Sequence, residues 1–315
     1  DIVFPITTSL ERNDVAFNTF DHFVSPMPQA VPPYADSRSD YDTFSALAAR
    51  LGIAREFTEG RDEMQWVRHI YDDSRQRAAQ HGVALPDFEL FWAGEHFSIA
   101  AQLPEVPLIF EAFRKDPQAH PLGTPSGLIE IHSQTIASFG YDDCPGHPVW
   151  LDKQECLGAP RALQFPLHLI SNQPAPRLHS QLDFSAVSRA TNVAGREALT
   201  LHPDDAAERG IEAGSVVRIF NDRGACLAGV CLSADICRGV IQLAVGAWYD
   251  PIETADGLGL DIHGNANVLT RDVGTSRLGQ GPSAHSCLVE VEPYLGPIPQ
   301  VQAFKRPEIL GVCRT

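Results

Sequence analysis

The polar side chains best suited to bind a ligand lie in two loops of the second half of the sequence. The first loop, 171–181, follows the apolar run 165–170 and carries Asn, Gln, Arg, His and Ser side chains. The second begins at 263–267, with His and Asn side chains, and continues into the glycine-rich stretch 274–281. Such side chains supply hydrogen-bond donors and acceptors together, and loops that leave a strand are common places for binding residues. Both loops in one domain predict a single large polar ligand.

Motifs for several other kinds of chemistry do not occur in this sequence. There is no Walker-type phosphate loop, no His-Glu-x-x-His and no Gly-x-Ser-x-Gly string. The twelve histidines are scattered and the seven cysteines include no C-x-x-C pair, so no set of residues has the spacing of a metal site. The residues alone leave two alternatives open, an enzyme domain and a binding or adaptor barrel.

The elements that would position the loops follow from the apolar pattern. Helices are predicted over 40–50 and 63–81, where apolar side chains recur at helical spacing. From about residue 159 the pattern changes to short β-like runs separated by Gly, Asn and Asp residues, which predicts a closed all-β barrel. The predicted strands are 167–170, 198–201, 215–221, 225–232, 239–243 and 287–291.

The fold class predicted for the whole chain is α/β plus all-β. Its 315 residues exceed one ordinary domain of about 150 residues, and we place the boundaries at 1–158, 159–293 and a tail, 294–315. Residues 1–5 look like a strand that runs into a loop, and a domain seldom begins there. We therefore expect a C-terminal piece of a longer polypeptide, with a trimmed or processed start as the alternative.

Charge and hydropathy limit the classes of partner. The formal net charge of −16 would repel a phosphate backbone, so we expect no nucleic acid partner. A few local arginines can still hold a phosphate within an acidic protein. The longest apolar runs, such as 240–248, are far shorter than the ~20 residues of a membrane-spanning helix. We expect no membrane span.

Several strings of the sequence are too long and too unusual to recur by chance. They are Asp1-Ile-Val-Phe-Pro-Ile-Thr-Thr-Ser-Leu-Glu-Arg-Asn-Asp14, the string 129–148, Pro174-Ala-Pro-Arg-Leu-His-Ser-Gln181, Gly246-Ala-Trp-Tyr-Asp-Pro251 and the string 263–276. Through them the chain resembles, over nearly its whole length, the C-terminal portion of the molybdopterin oxidoreductases. The similar branch comprises the dimethyl sulfoxide, trimethylamine N-oxide and biotin sulfoxide reductases.

The resemblance implies the end of an α/β domain with packing helices, followed by a double-psi β-barrel that covers the pterins. The implied cofactor is molybdenum bis(molybdopterin guanine dinucleotide), shared with an N-terminal portion on the same or a separate chain. The implied reaction is oxygen-atom transfer from an S-oxide or N-oxide, with electrons from a donor protein or a reduced nicotinamide. Such enzymes are bacterial and either cytoplasmic or periplasmic. Their molybdenum ligand and substrate funnel belong to the N-terminal portion, so no residue here is expected to be catalytic.

The resemblance also implies the residues that contact the cofactor. They are Gln173, Arg177, His179, Ser180 and Gln181 in the first loop and Asn265, Asn267 and Gln280 in the second. Asn13 is a further candidate contact because it follows a predicted strand end, where ligands gather in α/β domains; a helix cap or an interdomain salt bridge in this string is the alternative. A pterin edge presents donors and acceptors, while a pyrophosphate requires a cation and neutral donors.

Two positions depart from the family's pattern. Relatives commonly carry His where Gln173 stands and Pro where Ala266 stands, so we expect one altered cofactor contact and a looser turn at Asn265 to Asn267.

The rival function is a non-catalytic double-psi barrel that serves as a protein-interaction or adaptor module. It predicts an exposed apolar patch around Trp248 and Tyr249 and no cofactor.

Overall fold

The computed structural model describes residues 2–18, 21–103, 108–254, 259–306 and 308. The chain divides into two compact units, Asp1–Leu128 and Ile129–Thr315, which we call the helical unit and the barrel unit. The sequence-based boundary near residue 159 remains a prediction. Part of the predicted tail, 307 and 309–315, lies outside the described residues, as does residue 1.

The helical unit combines short helices with a small antiparallel sheet. Strand β2 (Phe23–Met27) pairs with β1 (Asp14–Phe17) on one side and β3 (Phe97–Ser98) on the other. The helices are α1 (Asp40–Arg50), α2 (Ala54–Thr58), α3 (Glu63–Gln80), α4 (Phe88–Ala93) and α5 (Glu111–Lys115). The two longer helices, α1 and α3, confirm the helices predicted over 40–50 and 63–81.

Polar caps and one aromatic cluster explain these helices. Ser39 accepts a hydrogen bond from the Asp42 N–H at the start of α1, and Asp62 and Gln65 form a reciprocal capping box at the start of α3. Buried side chains of α3 and α4 pack together, with the Tyr71 and Phe91 rings stacked 4.1 Å apart. The core of this unit is therefore aromatic and local in sequence.

The strand predicted at residues 1–5 is absent from the described part of that segment. Residues 2–5 lie in no strand, and Ile6 instead forms an isolated parallel bridge with Arg38. Pro5 has no N–H to donate to a strand ladder, although its carbonyl accepts the Arg38 N–H.

Within the described residues of the barrel unit, six strands close into a barrel. They are β4 (Leu167–Ile170), β5 (Ala198–Leu201), β6 (Val216–Phe220), β7 (Ala225–Leu232), β8 (Val240–Leu243) and β11 (Leu288–Pro293). The pairing runs β5–β8–β4–β11–β6–β7 and returns to β5, with β4–β8 and β5–β7 parallel and the others antiparallel. Strands β9 (Pro251–Ile252) and β10 (Leu260–Asp261) extend the sheet beside β7.

This closed barrel confirms the predicted double-psi β-barrel, and every predicted strand of that region is found. Its interior is filled by alternate residues of the strands, as the two-residue period of a strand requires. Leu169, Leu199, Ile219, Ile241 and Leu243 are completely buried. The short helices α6 (Gln134–Ser138) and α7 (Ala186–Arg189) lie outside this ring of strands.

Helix α8 (Pro203–Ala207) connects β5 to β6 as its sequence predicts. Pro203 occupies the first turn, and the chain leaves the helix through Gly210 and Gly214, which both have positive φ. Asp205 does more than oppose the helix dipole, because its buried carboxylate accepts the Gly239 N–H at 2.7 Å and pairs with Arg238. No described helix is both long and apolar enough to cross a membrane.

Candidate ligand-binding cleft

The barrel unit contains a cleft of about 450 Å³ lined by three loops. The first polar loop contributes His179 and Ser180, and the second polar loop contributes Asn265 and Asn267. The loop that follows β8 contributes residues 245–249. Two of these loops are the polar loops singled out in the sequence, so the fold brings them to one concave surface. Neutral polar and aromatic groups line the cleft together with backbone.

The barrel topology explains why two of these loops meet. Strands β4 and β8 are parallel neighbours, so the chain leaves both of them at the same end of the barrel. The loop after β4 and the loop after β8 are joined there by a hydrogen bond from the Val245 N–H to the Asn172 carbonyl, at 2.9 Å. Residues about 70 positions apart in sequence thus form one wall.

Gly246 is required where these two loops touch. Its φ is +96°, and a Cβ at this position would lie 2.0 Å from the His179 carbonyl oxygen. His179 itself has a φ of +50°, in the left-handed region that few non-glycine residues occupy. The backbones of the two loops are therefore in direct contact, and no side chain can be inserted between them.

The second polar loop is organised by the carboxylate of Asp261 at the end of β10. Its Oδ2 accepts the N–H groups of His263, Gly264 and Asn265 at 3.2, 2.7 and 2.7 Å. The Asn265 side chain then accepts the Asn267 N–H at 2.9 Å. An Asp carboxylate that accepts hydrogen bonds from successive backbone N–H groups stabilises a tight turn, so that not every residue of the turn has to be glycine.

A buried ionic cluster lies behind the cleft. The Arg177 side chain is 0% exposed, and its guanidinium contacts Glu197 at 2.7 Å and Asp183 at 3.4 Å. It also donates to the carbonyls of His179 and Val245, at 3.1 and 3.3 Å. Arg177 thus neutralises buried carboxylates and fixes the backbone of two loops.

Burial raises the pKa of Glu197 above its ordinary value of 4.5, and the neighbouring Asp183 raises it further, while Arg177 and His263 act in the opposite direction. The folded protein therefore holds a proton on Glu197 more tightly than the unfolded chain does. The resulting stability is present below the ordinary pKa and is lost as pH rises through the raised pKa.

Replacing Glu197 with glutamine is expected to reduce this pH dependence, because the amide mimics the protonated carboxyl at every pH. The free energy of unfolding of the unaltered chain should fall more steeply than that of the variant from about pH 4.5 to neutral pH. Urea unfolding at a series of pH values measures both slopes. Glu292→Gln, which removes an exposed partner of Arg218, is the control. Identical slopes for Glu197→Gln and the unaltered chain would contradict the prediction.

The structure brings together four of the residues predicted to contact a cofactor, His179, Ser180, Asn265 and Asn267, all of which line the cleft. Their role as cofactor contacts remains a prediction. The other predicted residues of the barrel unit do not line it.

Gln173 and Gln280 instead hold their own loops. The Gln173 amide donates to the Arg177 carbonyl at 3.0 Å, and the Gln280 amide donates to the carbonyls of Ser276 and Arg277 at 2.9 and 3.2 Å. Gln181 is exposed. The loosening expected from Ala266 is not seen, because the Asn265 side chain caps the short 3-10 helix Ala266–Val268.

Asn13 belongs to the helical unit, beside a smaller cavity of about 260 Å³. Its backbone N–H donates to Glu63 at 2.9 Å, and its side-chain oxygen accepts the Gln29 N–H at 3.0 Å. This side chain therefore bridges two segments of its own unit.

Sequence reasoning missed Asp183, Glu197 and Asp261. For Asp261 a local signal exists in the string Asp-Ile-His-Gly-Asn, because an Asp shortly before a Gly-Asn pair is typical of a side-chain-capped turn. Asp183 and Glu197 have no comparable signal, because their partners lie in other segments. Among the described residues, no group of three or more His, Cys, Asp or Glu side chains is placed to hold a metal ion.

Comparison with known families agrees with this geometry. Residues 167–288 match the family described as "Molydopterin dinucleotide binding domain". This range includes the first residue of every ring strand and both polar loops. The barrel and its cleft therefore define a dinucleotide-binding domain of the molybdopterin type.

Residues 1–50 match the family described as "Molybdopterin oxidoreductase". The chain is 49% identical over 297 residues to biotin sulfoxide reductase of Cereibacter sphaeroides, covering 94% of this chain and 39% of that protein. It is 44% identical over 312 residues to dimethyl sulfoxide/trimethylamine N-oxide reductase of Rhodobacter capsulatus, and the match covers 98% of this chain and 38% of that protein. These matches confirm the resemblance to the molybdopterin oxidoreductases of the sulfoxide and N-oxide reductase branch.

Two further comparisons define the extent of the similarity. Trimethylamine-N-oxide reductase of Salmonella typhimurium is 45% identical over 318 residues, which cover 99% of this chain and 37% of that protein. Acetylene hydratase from Pelobacter acetylenicus shares the fold, with a TM-score of 0.66 and 19% identity over 93% of this chain and 38% of that one. The chain thus spans less than two fifths of the length of these relatives.

Proposed function

We propose that this chain is the dinucleotide-binding part of a molybdenum enzyme that reduces S-oxides or N-oxides by oxygen-atom transfer. The observation that carries the proposal is the convergence of His179, Ser180, Asn265 and Asn267 on one cleft within the matched domain. The similarity to biotin sulfoxide and trimethylamine N-oxide reductases supports the substrate class. The same similarity favours this function over that of a non-catalytic protein-interaction or adaptor barrel.

The chemistry of the cleft fits a purine or pterin edge. The amides of Asn265 and Asn267 each offer a donor and an acceptor, and Ser180 offers a hydroxyl that does both. No lining residue is an arginine, lysine or carboxylate. We propose that these neutral groups recognise the heterocycle and that Arg177 contributes from behind, through the loop backbone.

The form of the cofactor in this proposal is molybdenum bis(molybdopterin guanine dinucleotide). When bound, it supplies the two-electron oxygen-atom transfer, while the residues of this chain bind and orient it. The proposed partners are the remaining portion of the enzyme, an S-oxide or N-oxide substrate, and a donor protein or reduced nicotinamide, in the cytoplasm or periplasm of a bacterium. No residue of this chain is proposed to be catalytic.

The binding function is tested with guanosine 5′-diphosphate as the probe, titrated calorimetrically into the purified 315-residue chain. One molecule is expected to bind per chain, and adenosine 5′-diphosphate is expected to bind more weakly if the base is read as guanine. Nucleotide released by acid hydrolysis and molybdenum content, both measured on the enzyme isolated from its host, test the whole cofactor. The absence of guanosine diphosphate binding and of released guanine nucleotide would overturn the proposal.

Replacing Asn267 with alanine is expected to weaken guanosine diphosphate binding about tenfold, the factor that about 1.4 kcal/mol represents for a lost ligand hydrogen bond. Gln164→Ala is the matched control, since it removes an exposed amide of the same unit that was not predicted to contact the cofactor and does not line the cleft. Its affinity should stay within about twofold of the unaltered chain, a change of less than about 0.5 kcal/mol. Equal losses in both variants would contradict the role of this cleft.

A further inference from the structure

We propose that Asp183 is a positioning residue of the cleft: its carboxylate fixes Trp248 and Arg177, and through them it sets the relative places of the three cleft loops. The inference rests on the proposed function, because it concerns the binding of the same ligand. Asp183 does not line the cleft and touches no ligand group in this proposal. Its action is exerted entirely through neighbours.

The contacts of Asp183 place it at the junction of two loops. The residue is 1% exposed, and its Oδ2 accepts the backbone N–H of Trp248 at 2.9 Å. Its Oδ1 lies 3.4 Å from Nε of Arg177. Asp183 follows the first polar loop, whereas Trp248 lies in the loop after β8, so the carboxylate connects segments 65 residues apart.

Trp248 transmits this constraint to the cleft wall. Its indole N–H donates to the Ser180 carbonyl at 2.8 Å, and its own carbonyl lies 3.0 Å from Nδ1 of His263. Trp248 therefore joins its own loop to the other two cleft loops, through Ser180 of the first polar loop and His263 of the second. Because Trp248 and Ser180 both line the cleft, displacement of Trp248 would change the shape of the binding surface directly.

Arg177 provides a second route from Asp183 to the cleft. Its guanidinium donates to the carbonyls of His179 and Val245, and both residues line the cleft. Asp183 and Glu197 hold that guanidinium from the buried side. Without the Asp183 charge, Glu197 alone would hold the guanidinium from that side, so the orientation from which Arg177 donates to both carbonyls would be less firmly fixed.

The same barrel offers a matched control in Asp205. It is 3% exposed, accepts a backbone N–H, that of Gly239, at 2.7 Å, and lies 3.3 Å from Nε of Arg238. Asp183 and Asp205 thus agree in residue type, burial and kind of partner. They differ in place, because neither Asp205 nor its partners line the cleft.

The experiment compares Asp183→Asn with Asp205→Asn in the full 315-residue chain. Urea unfolding measures stability, and calorimetric titration with guanosine 5′-diphosphate, at a temperature where each variant is folded, measures affinity. Both variants are expected to lose stability, but only Asp183→Asn should raise the Kd at least tenfold, with Asp205→Asn staying within twofold. A purely structural role for Asp183 would lower stability without this selective loss of affinity.

Each result has a defined meaning. Unchanged affinity in Asp183→Asn, or equal loss in both variants, overturns the inference while leaving the proposed function intact. Failure of the unaltered chain to bind guanosine diphosphate overturns this inference, and together with the absence of released guanine nucleotide from the isolated enzyme it overturns the proposed function as well. If Asp183→Asn does not fold, Trp248→Phe replaces it, because it removes the indole hydrogen bond to Ser180 and keeps an aromatic ring beside Phe184 and Phe304. An at least threefold higher Kd in Trp248→Phe supports the inference, and an unchanged Kd overturns it.

Discussion

Replacing Gly246 with alanine is expected to destabilise the barrel unit by about 3 kcal/mol or more, through backbone strain and a steric clash acting together. The positive φ of +96° alone disfavours any residue with a Cβ. The new methyl would also lie 2.0 Å from the His179 carbonyl oxygen and 2.8 Å from the Ser180 nitrogen. Both are backbone atoms, so the clash is relieved only by separating the two loops.

Urea unfolding of the variant and the unaltered chain measures the effect of Gly246→Ala. Gly214→Ala is the matched control, because Gly214 also has a positive φ, +79°, but a Cβ there meets nothing within 4 Å. The control should lose only the strain of a left-handed residue, about 1 to 2 kcal/mol. If the two variants lost the same stability, the loop contact would make no contribution.

Replacing Arg177 with leucine is expected to cost about 3 to 5 kcal/mol near neutral pH, because it leaves buried carboxylates without their cation. Glu197 and Asp183 are 5% and 1% exposed, so water cannot replace the guanidinium. The loss should be smaller at acidic pH, where the buried Glu197 carboxyl, whose pKa is raised by burial, can take up a proton. The same variant frees the carbonyls of His179 and Val245.

The free energy of unfolding, measured against pH, tests this prediction for Arg177→Leu. The control is Arg218→Leu, in which the Arg218–Glu292 pair at 3.0 Å has side chains 31% and 48% exposed. Such a pair contributes about 0 to 1 kcal/mol. Adding Glu197→Leu to Arg177→Leu should recover part of the loss, since it removes an unpaired charge. A loss for Arg177→Leu as small as for the control would contradict a structural role for the cluster.

The local pattern was sufficient to predict the main elements. Helices α1 and α3 follow from apolar spacing and capping residues, which act within a few positions. The barrel strands follow from alternation: in β5, for example, Leu199 and Leu201 are buried, whereas Ala198 and Thr200 are not. No strand is found over the described residues 2–5 of the segment predicted as a strand, because strand pairing depends on a partner that a short segment does not specify.

The two polar loops were also predicted, but the role suggested for Arg177 depended on its surroundings. An arginine in a polar loop is equally suited to a phosphate and to buried carboxylates. In the structure Arg177 donates hydrogen bonds to the carboxylate of Glu197, twenty residues away, and to the carbonyl of Val245, 68 residues away. The Val245 carbonyl meets Arg177 because β4 and β8 lie side by side, and Glu197 lies nearby because β5 pairs with β8 on its other side.

The sequence by itself determined the helices, the barrel strands, the family and the loops that carry polar groups, since these depend on neighbouring residues or on long strings shared with relatives. Only the tertiary structure decided which polar groups reach the cleft and which are buried behind it. Strand pairing brings distant segments into contact, and a side chain's burial and charge partners are properties of that contact rather than of its own segment. Asp183, with nothing in its own segment to distinguish it, therefore became the residue that joins Trp248 to Arg177.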